Sequence, residues 1–247
     1  MPEAELGDPL HGIRIEAVTL VRGSERVFDG LTLNLREPRI GLIGDNGAGK
    51  SSLLRLISGL DQPQQGRVIV SGNDPQDGRR RQSSPHVGLM FQNPDDQIIF
   101  PTVAEELAFS LTARGHTREA SRRQARDFLA QRGLEAWTGR AIGELSQGQR
   151  QQVCLLALQI SRPATLLLDE PFASLDLLSQ ARLAAQLEAT PQQIILSTHQ
   201  LEHVHGFGRV LWLEHGGVRA DGPGSEVCAA YAEHVHQRAR AERGEYA

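Results

Sequence analysis

Lysine is nearly missing from this chain of 247 residues: Lys and Arg together number 26, Lys50 is the single lysine, and 26 − 1 leaves 25 arginines. Cysteine is almost as scarce. Cys154 and Cys228 stand far apart without metal-ligand spacing, which speaks against a disulfide scaffold or a zinc site and predicts two incidental thiols in a reduced cytoplasmic protein. No apolar run approaches the roughly 20 residues that cross a bilayer, so work at a membrane would have to go through a partner. A basic excess is also lacking: 26 basic against 30 acidic residues give a net charge of −4. That argues against a general nucleic-acid or lipid-surface binder. The opening MPEAELGDPLHG is acidic and polar and is expected not to be a signal peptide. What is present is ordinary for a soluble globular protein, with 39 % hydrophobic and 23 % charged residues, enough for one large domain or a domain with a lobed insert.

The lone lysine sits in RIGLIGDNGAGKSSLL, residues 39–54. Ile40 to Ile43 is a short apolar run that suits a buried strand. Gly44, Asp45, Asn46, Gly47, Ala48, Gly49, Lys50 and Ser51 then fit G-x-x-x-x-G-K-[ST], and the stretch from Ser52 onward has helical periodicity. Strand, glycine-rich loop and helix are the context in which this motif binds phosphate: backbone N–H groups turn inward and the helix adds its positive end. A compact ammonium reaches β- and γ-phosphates under such a loop, whereas a planar guanidinium is wider and seeks a forked partner. Lysine is therefore needed at this one position. The Ser51 hydroxyl is placed to meet Mg²⁺.

A second apolar run, Thr165 to Leu168, ends in Asp169-Glu170-Pro171. Two carboxylates at the end of a core strand call for a cation or a water. Asp169 suits a hold on Mg²⁺, and Glu170 suits a general base polarising an attacking water. Between the two runs lies ELSQGQRQQ, in which Ser146 and Gly148 open an apolar helix, Val153 to Ile160, closed by Arg162-Pro163.

LSQGQ resembles the LSGGQ signature of ATP-binding-cassette ATPases, with Gln147 in place of the third-position glycine and Ser146, Gly148 and Gln149 retained. Other family marks follow in order: Gln92 in LMFQNP resembles the Q-loop glutamine, Ser174-Leu175-Asp176 the D-loop, and His199 in LSTHQL the switch histidine. The resemblance runs from about Ile13 to Gly222. It implies an α/β P-loop NTPase with a mixed-sheet core, an antiparallel β subdomain and a helical insert. It assigns 1–225 to the nucleotide-binding domain, about 93–162 to its helical subdomain and 226–247 to a helical tail. It implies ATP hydrolysis with ATP and Mg²⁺, catalysis by Glu170, His199 and Gln92, and metal contacts from Ser51, Gln92 and Asp169. The family usually stacks an aromatic on adenine from its first hairpin. Here Arg22 aligns with it, either stacking its guanidinium or lying in a solvated loop.

Ile13 to Leu35 alternates as antiparallel strands, residues from Gln92 to Ser161 read as mostly helical, and Ile194 to Ser197 and Val210 to Leu213 read as strands. The arginine-rich TREASRRQARDFLAQRG is expected to form a solvated helix face, and Arg79-Arg80-Arg81 a solvated loop. His203 and His205 are expected on a helix surface rather than as metal ligands with His199.

No internal repeat appears, so there is one cassette per chain. In this family one subunit's P-loop and another's signature enclose each ATP, which implies pairing with a second copy or with a paralogous cassette. Ribosome-acting members join two cassettes by a charged linker, and chromosome-structure members insert coiled coils or zinc motifs; neither feature is seen. A transporter ATPase with separate transmembrane subunits fits instead, on the cytoplasmic face of the membrane as a peripheral subunit, with no nucleic-acid partner. QNPDDQIIFPTVAEELAFSL resembles the energy-coupling-factor ATPases, which drive uptake of vitamins, cobalt or nickel. Its Ile98, Ile99 and Phe100 either receive a membrane partner's helix or pack inside the insert. Within that group QIIFPTVAEELAF looks most like the biotin-transporter ATPase subunits. Cobalt and nickel versions stay open, because a substrate-binding membrane subunit, joined to a transmembrane coupling subunit, chooses the cargo.

Overall fold

A computed structural model describes residues 12–75, 86–173 and 175–244. The N-terminal residues 1–11, the triplet Arg79-Arg80-Arg81 and Ser174 of the D-loop lie outside the described residues. Along the chain run β1 (Ile13–Arg22), β2 (Glu25–Leu35), β3 (Arg39–Ile43), α1 (Lys50–Ser58) and β4 (Gln65–Val70). They are followed by β5 (Val87–Met90), α2 (Val103–Thr112), α3 (Arg118–Ala130), α4 (Gln147–Ser161), β6 (Thr165–Asp169) and α5 (Leu177–Glu188). The chain closes with β7 (Gln193–Ser197), β8 (Arg209–Glu214), β9 (Gly217–Gly222) and α6 (Gly224–Gly244). The described residues fall into two compact units, one within Met1–Gln76 and Ile194–Ala247, the other within Asp77–Gln193.

In the first unit β1 lies between antiparallel β2 and β4, and Ile13 is paired with Leu35 on one side and Val70 on the other. The apolar positions of that register are buried, as the alternation in Ile13 to Leu35 predicts. β3 is different: Ile40 to Ile43 is buried at every position, the mark of a strand covered on both faces. It pairs in parallel with β7 and β8, and β8 returns as a hairpin to antiparallel β9, so this sheet is mixed. α1 stops where Gly59 takes a left-handed conformation and its N–H bonds to Arg55 O and Leu56 O. α6 packs on β8 through Trp212, whose indole meets the Tyr231 ring edge-on at 5.2 Å and the His234 ring at 5.1 Å.

The second unit holds the parallel pair β5–β6, with Leu89 opposite Leu167, and the helical insert. α2, α3 and α4 share one apolar core. In α3 the buried positions Ser121, Ala125 and Leu129 recur every four residues while Arg118, Arg122, Arg123 and Arg126 face solvent. The solvated arginine face expected of this stretch is therefore present. Full burial of a leucine such as Leu129 contributes roughly 1.5–3 kcal/mol. His203 and His205 are not on an α-helix surface as their sequence suggests. His203 ends the short 3₁₀ turn Leu201–His203, its Nε2 2.9 Å from Gln200 Oε1, and His205 lies in the turn that follows.

Candidate nucleotide-binding site

In the first unit the glycine-rich loop leaves β3 at Gly44 and enters α1 at Gly49. Both need backbone that side chains resist: φ is +142° at Gly44, where a Cβ would lie 2.3 Å from Leu213 O, and +100° at Gly49, where it would lie 2.9 Å from the Phe28 ring. The tight fit fixes the loop against β8 and β2. Gly49 caps α1 without a side chain, and the first turn carries no acidic residue. The positive end of the helix is thus left for an anion. Lys50 is 7 % exposed. Its Nζ donates to Gly44 O at 2.8 Å and Asp45 O at 3.2 Å and lies 3.4 Å from His199 Nε2. The lysine and the histidine, 149 positions apart, meet because β3 and β7 are parallel neighbours, which sets both following loops at one end of the sheet. Ser51 is exposed in the first turn of α1 and Ser52 is buried beside it. Asn46 and Gly47 form the open tip of the loop, and Ala48 N closes its turn onto Asp45 O at 3.1 Å.

Arg22 ends β1, and its guanidinium is bonded to Asp61, which also receives Arg55. The two arginines hold the Asp61 carboxyl below its usual range against the opposing effect of burial, which is the largest single influence on it.

In the second unit Asp169 ends β6, and Glu170 follows, 8 % exposed and with φ +48°. Left-handed backbone at a residue other than glycine costs about 1–2 kcal/mol. It turns the chain out of the strand directly after Asp169. Gln151 Nε2 donates to Pro171 O and braces that turn from α4. Gln92 is exposed two residues beyond β5.

The LSQGQ stretch is the start of α4. Ser146 Oγ accepts from Gln149 N at 3.3 Å, and Gln149 Oε1 accepts from Ser146 N at 3.0 Å, a reciprocal cap. Gln147, the departure from the family pattern, is exposed in the first turn, so its side chain intrudes on neither bond. Gly148 packs closely: a Cβ there would lie 3.2 Å from Ser179 Oγ and 3.3 Å from Leu175 Cδ2. Asp176 caps α5, accepting from Ser179 N at 2.7 Å, and that bond lowers its carboxyl below the usual range. Beside it Leu177 and Leu178 are 84 % and 60 % exposed.

Of the three apolar residues after the Asn93-Pro94 turn, Ile99 is 69 % exposed, and Ile98 and Phe100 are half-buried. Phe100 stacks at 5.1 Å on Phe109 of α2, itself 41 % exposed. Glu106, 4 % exposed, turns its carboxylate inward and accepts from both Ile99 N and Phe100 N at 2.9 Å. A charged residue on the inner side of VAEELAFSL is the signal that could have found it. No local pattern points to Tyr231 and Arg238, which reach Asp45 from 186 and 193 positions away.

Within the first unit the donor set suits a polyphosphate: a buried ammonium, an uncapped helix start and a hydroxyl on one loop. Within the second unit, two consecutive carboxyl-bearing residues at the end of β6 are of the kind that serve a hard cation. Comparison with known proteins agrees with that chemistry. The ABC transporter family profile matches residues 28–173. The biotin transport ATP-binding protein BioM of Rhodobacter capsulatus is 46 % identical over 94 % of this chain and 99 % of its own length. That of Rhizobium etli is 38 % identical over 90 % and 98 %. Among solved structures, cbiO1 from Clostridium perfringens, part of the transporter complex cbiONQ, superposes with a TM-score of 0.75 at 23 % identity, covering 88 % of this chain and 90 % of its own. The dimeric cassette MJ0796 bound to ADP and Pi gives 0.72 at 24 %, covering 85 % and 98 %.

Proposed function

We propose that this chain, which belongs to the ATP-binding-cassette transporter ATPases, is the ATP-hydrolysing subunit of an energy-coupling-factor importer whose cargo is biotin. The observation that carries the cargo is the end-to-end likeness to BioM. A free-standing peripheral subunit agrees with the lack, among the described residues, of any helix long and apolar enough to span a bilayer. Its place is then the cytoplasmic face of the membrane, reached through a transmembrane coupling subunit and a substrate-binding membrane subunit. The exposed Ile99 with Phe100 and Phe109 supports a docking surface for an apolar helix of the coupling subunit.

The residues take the following roles. The loop from Gly44 to Gly49 with Ser52 cradles the phosphates, and Lys50 sets its charge against the β- and γ-oxygens. Ser51, Gln92 and Asp169 would hold Mg²⁺, which would supply positive charge to neutralise the charge that develops on the phosphates. Glu170 polarises the attacking water. His199, beside the Lys50 ammonium, contacts the γ-phosphate. Arg22 lends its plane to adenine when released from Asp61. Ser146, Gln147, Gly148 and Gln149, with Asp176, serve the nucleotide of a second cassette, either another copy or a paralogue. The leucines exposed beside Asp176 support such pairing.

The decisive test is transport. The chain is reconstituted in proteoliposomes with a biotin-specific membrane subunit and a coupling subunit, and biotin, Co²⁺ and Ni²⁺ uptake are followed with and without Mg²⁺-ATP. ATP-dependent biotin entry is expected. ATPase activity that drives only metal entry, with the metal-specific subunit in place, would transfer the chain to the cobalt or nickel importers.

A further inference from the structure

α6 touches the phosphate-binding loop directly. Tyr231 and Arg238 lie seven residues apart, two turns along one face of the helix, and both end on Asp45, the residue after Gly44. The Tyr231 hydroxyl donates to Oδ1 at 2.9 Å, and the Arg238 guanidinium takes Oδ2. With one partner on each oxygen, the carboxylate is fixed in both position and plane. The backbone of the same residue is the other half of the arrangement: Asp45 O accepts from Lys50 Nζ and from Ala48 N. On the helix side Tyr231 is anchored by Trp212, the residue paired with Ile43 at the end of β3. His234, on the same face, closes on Trp212 and on Glu214.

We propose that α6 positions the phosphate-binding loop: Tyr231 and Arg238 hold Asp45 in the conformation that seats Lys50, and Arg238 offsets the Asp45 charge beside the phosphate site. Asp45 would otherwise set a free negative charge next to an incoming polyphosphate. The Asp45 carboxyl is kept below its usual range by Arg238 first and Tyr231 second, and the Tyr231 phenol is pushed up to about 12 by burial and by Asp45. Both shifts accord with the geometry. The Asp45 and Arg238 side chains are 46 % and 50 % exposed, so the pair adds little to global stability and its influence is local. Tyr231 and Arg238 are thus positioning residues, and the inference rests on the reading of this loop as the ATP site.

The test uses the full chain and two readouts. Without nucleotide, amide hydrogen exchange in the peptide covering 44–51 should quicken in Arg238→Ala and, less, in Tyr231→Phe, with the melting temperature unchanged. With a fluorescent ATP analogue, Arg238→Ala should weaken binding about 2–5-fold, in line with a half-exposed ion pair. Arg238→Lys should recover most of the loss. In an Asp45→Asn background, Arg238→Ala should add nothing further. Wild-type protein that binds no analogue sinks the ATP reading and this inference together. Wild-type binding with unchanged exchange and affinity in both variants overturns this inference alone, as does a weakening that persists undiminished in the Asp45→Asn background.

Discussion

Lys50 shows how much one side chain can be asked to do when its neighbours leave no room for another. Its ammonium touches two loop carbonyls, stands 3.4 Å from His199 and is almost wholly covered. A guanidinium keeps the charge but needs more width and a forked acceptor. Lys50→Arg should therefore lose ATP hydrolysis by about 10²-fold, the scale of an ångström's misplacement at a reacting centre. Lys50→Ala should be at least as impaired. Steady-state turnover of the purified complex measures both, and near-normal turnover in the arginine variant would mean that charge alone suffices. The motif around this lysine was legible because its meaning is local: strand, loop and helix follow one another within twenty residues. The same holds for the Ser146–Gln149 cap. Glu170 was legible as an acid but not as a residue in left-handed backbone, since nothing in DEPFAS prescribes that conformation. Asp45 gave no hint of its distant partners, because an ion pair across 193 positions leaves no mark in either local stretch.

At the scale of elements, strands and helices followed their periodicities closely, and the less legible parts are those held by side chains rather than by pattern. Residues 98–100 illustrate this. Sequence left two readings, partner groove or interior packing, and the structure divides them residue by residue: Ile99 faces out while Ile98 and Phe100 are half-buried. Glu106 decides that division by pinning the Ile99 and Phe100 amides from inside the insert. A substitution at the exposed position alone then separates docking from folding. Ile99→Asp should leave stability within about 0.5 kcal/mol, as expected of an exposed site. It should also abolish co-purification with the membrane coupling subunit while nucleotide binding persists. Retained co-purification would show that α2 and its preceding turn are not the docking surface. Glu106→Gln probes the support in turn. It keeps one acceptor oxygen for the two amides but loses the charge, and hydrogen bonds to charged groups contribute about 1.5–3 kcal/mol. The melting temperature should fall, and weakened partner binding should accompany it even though the Ile99 side chain is intact.

For the molecule as a whole, the question is whether one cassette completes another. The start of α4 is capped with its Ser146 and Gln147 exposed, Asp176 caps α5 at the surface, and Leu177 and Leu178 stand open beside it. These features suit a face that closes on a second cassette when nucleotide bridges the two. Glu170→Gln isolates that event from the chemistry that ends it. The substitution keeps the size and hydrogen-bonding reach of the side chain but removes the charge that, in the proposed role, draws a proton from water. Loss of a general base costs about 10²–10⁴ in rate, while the proposed phosphate contact of Lys50 and metal contact of Ser51 are left unaltered. If Glu170 has the proposed role, removal of its negative charge also favours retention of ATP. The variant should therefore accumulate as an ATP-bound pair, seen as a doubled mass by light scattering when Mg²⁺-ATP is present and as a single chain when it is not. His199→Ala should slow hydrolysis as well, since it removes the group that stands beside Lys50. Wild-type turnover in both variants would overturn the catalytic assignment. A slow Glu170→Gln variant that remains a single chain with Mg²⁺-ATP would retain Glu170 as the base and assign the second half-site to a paralogous cassette, which mixing with that subunit should then reveal as a heterodimer.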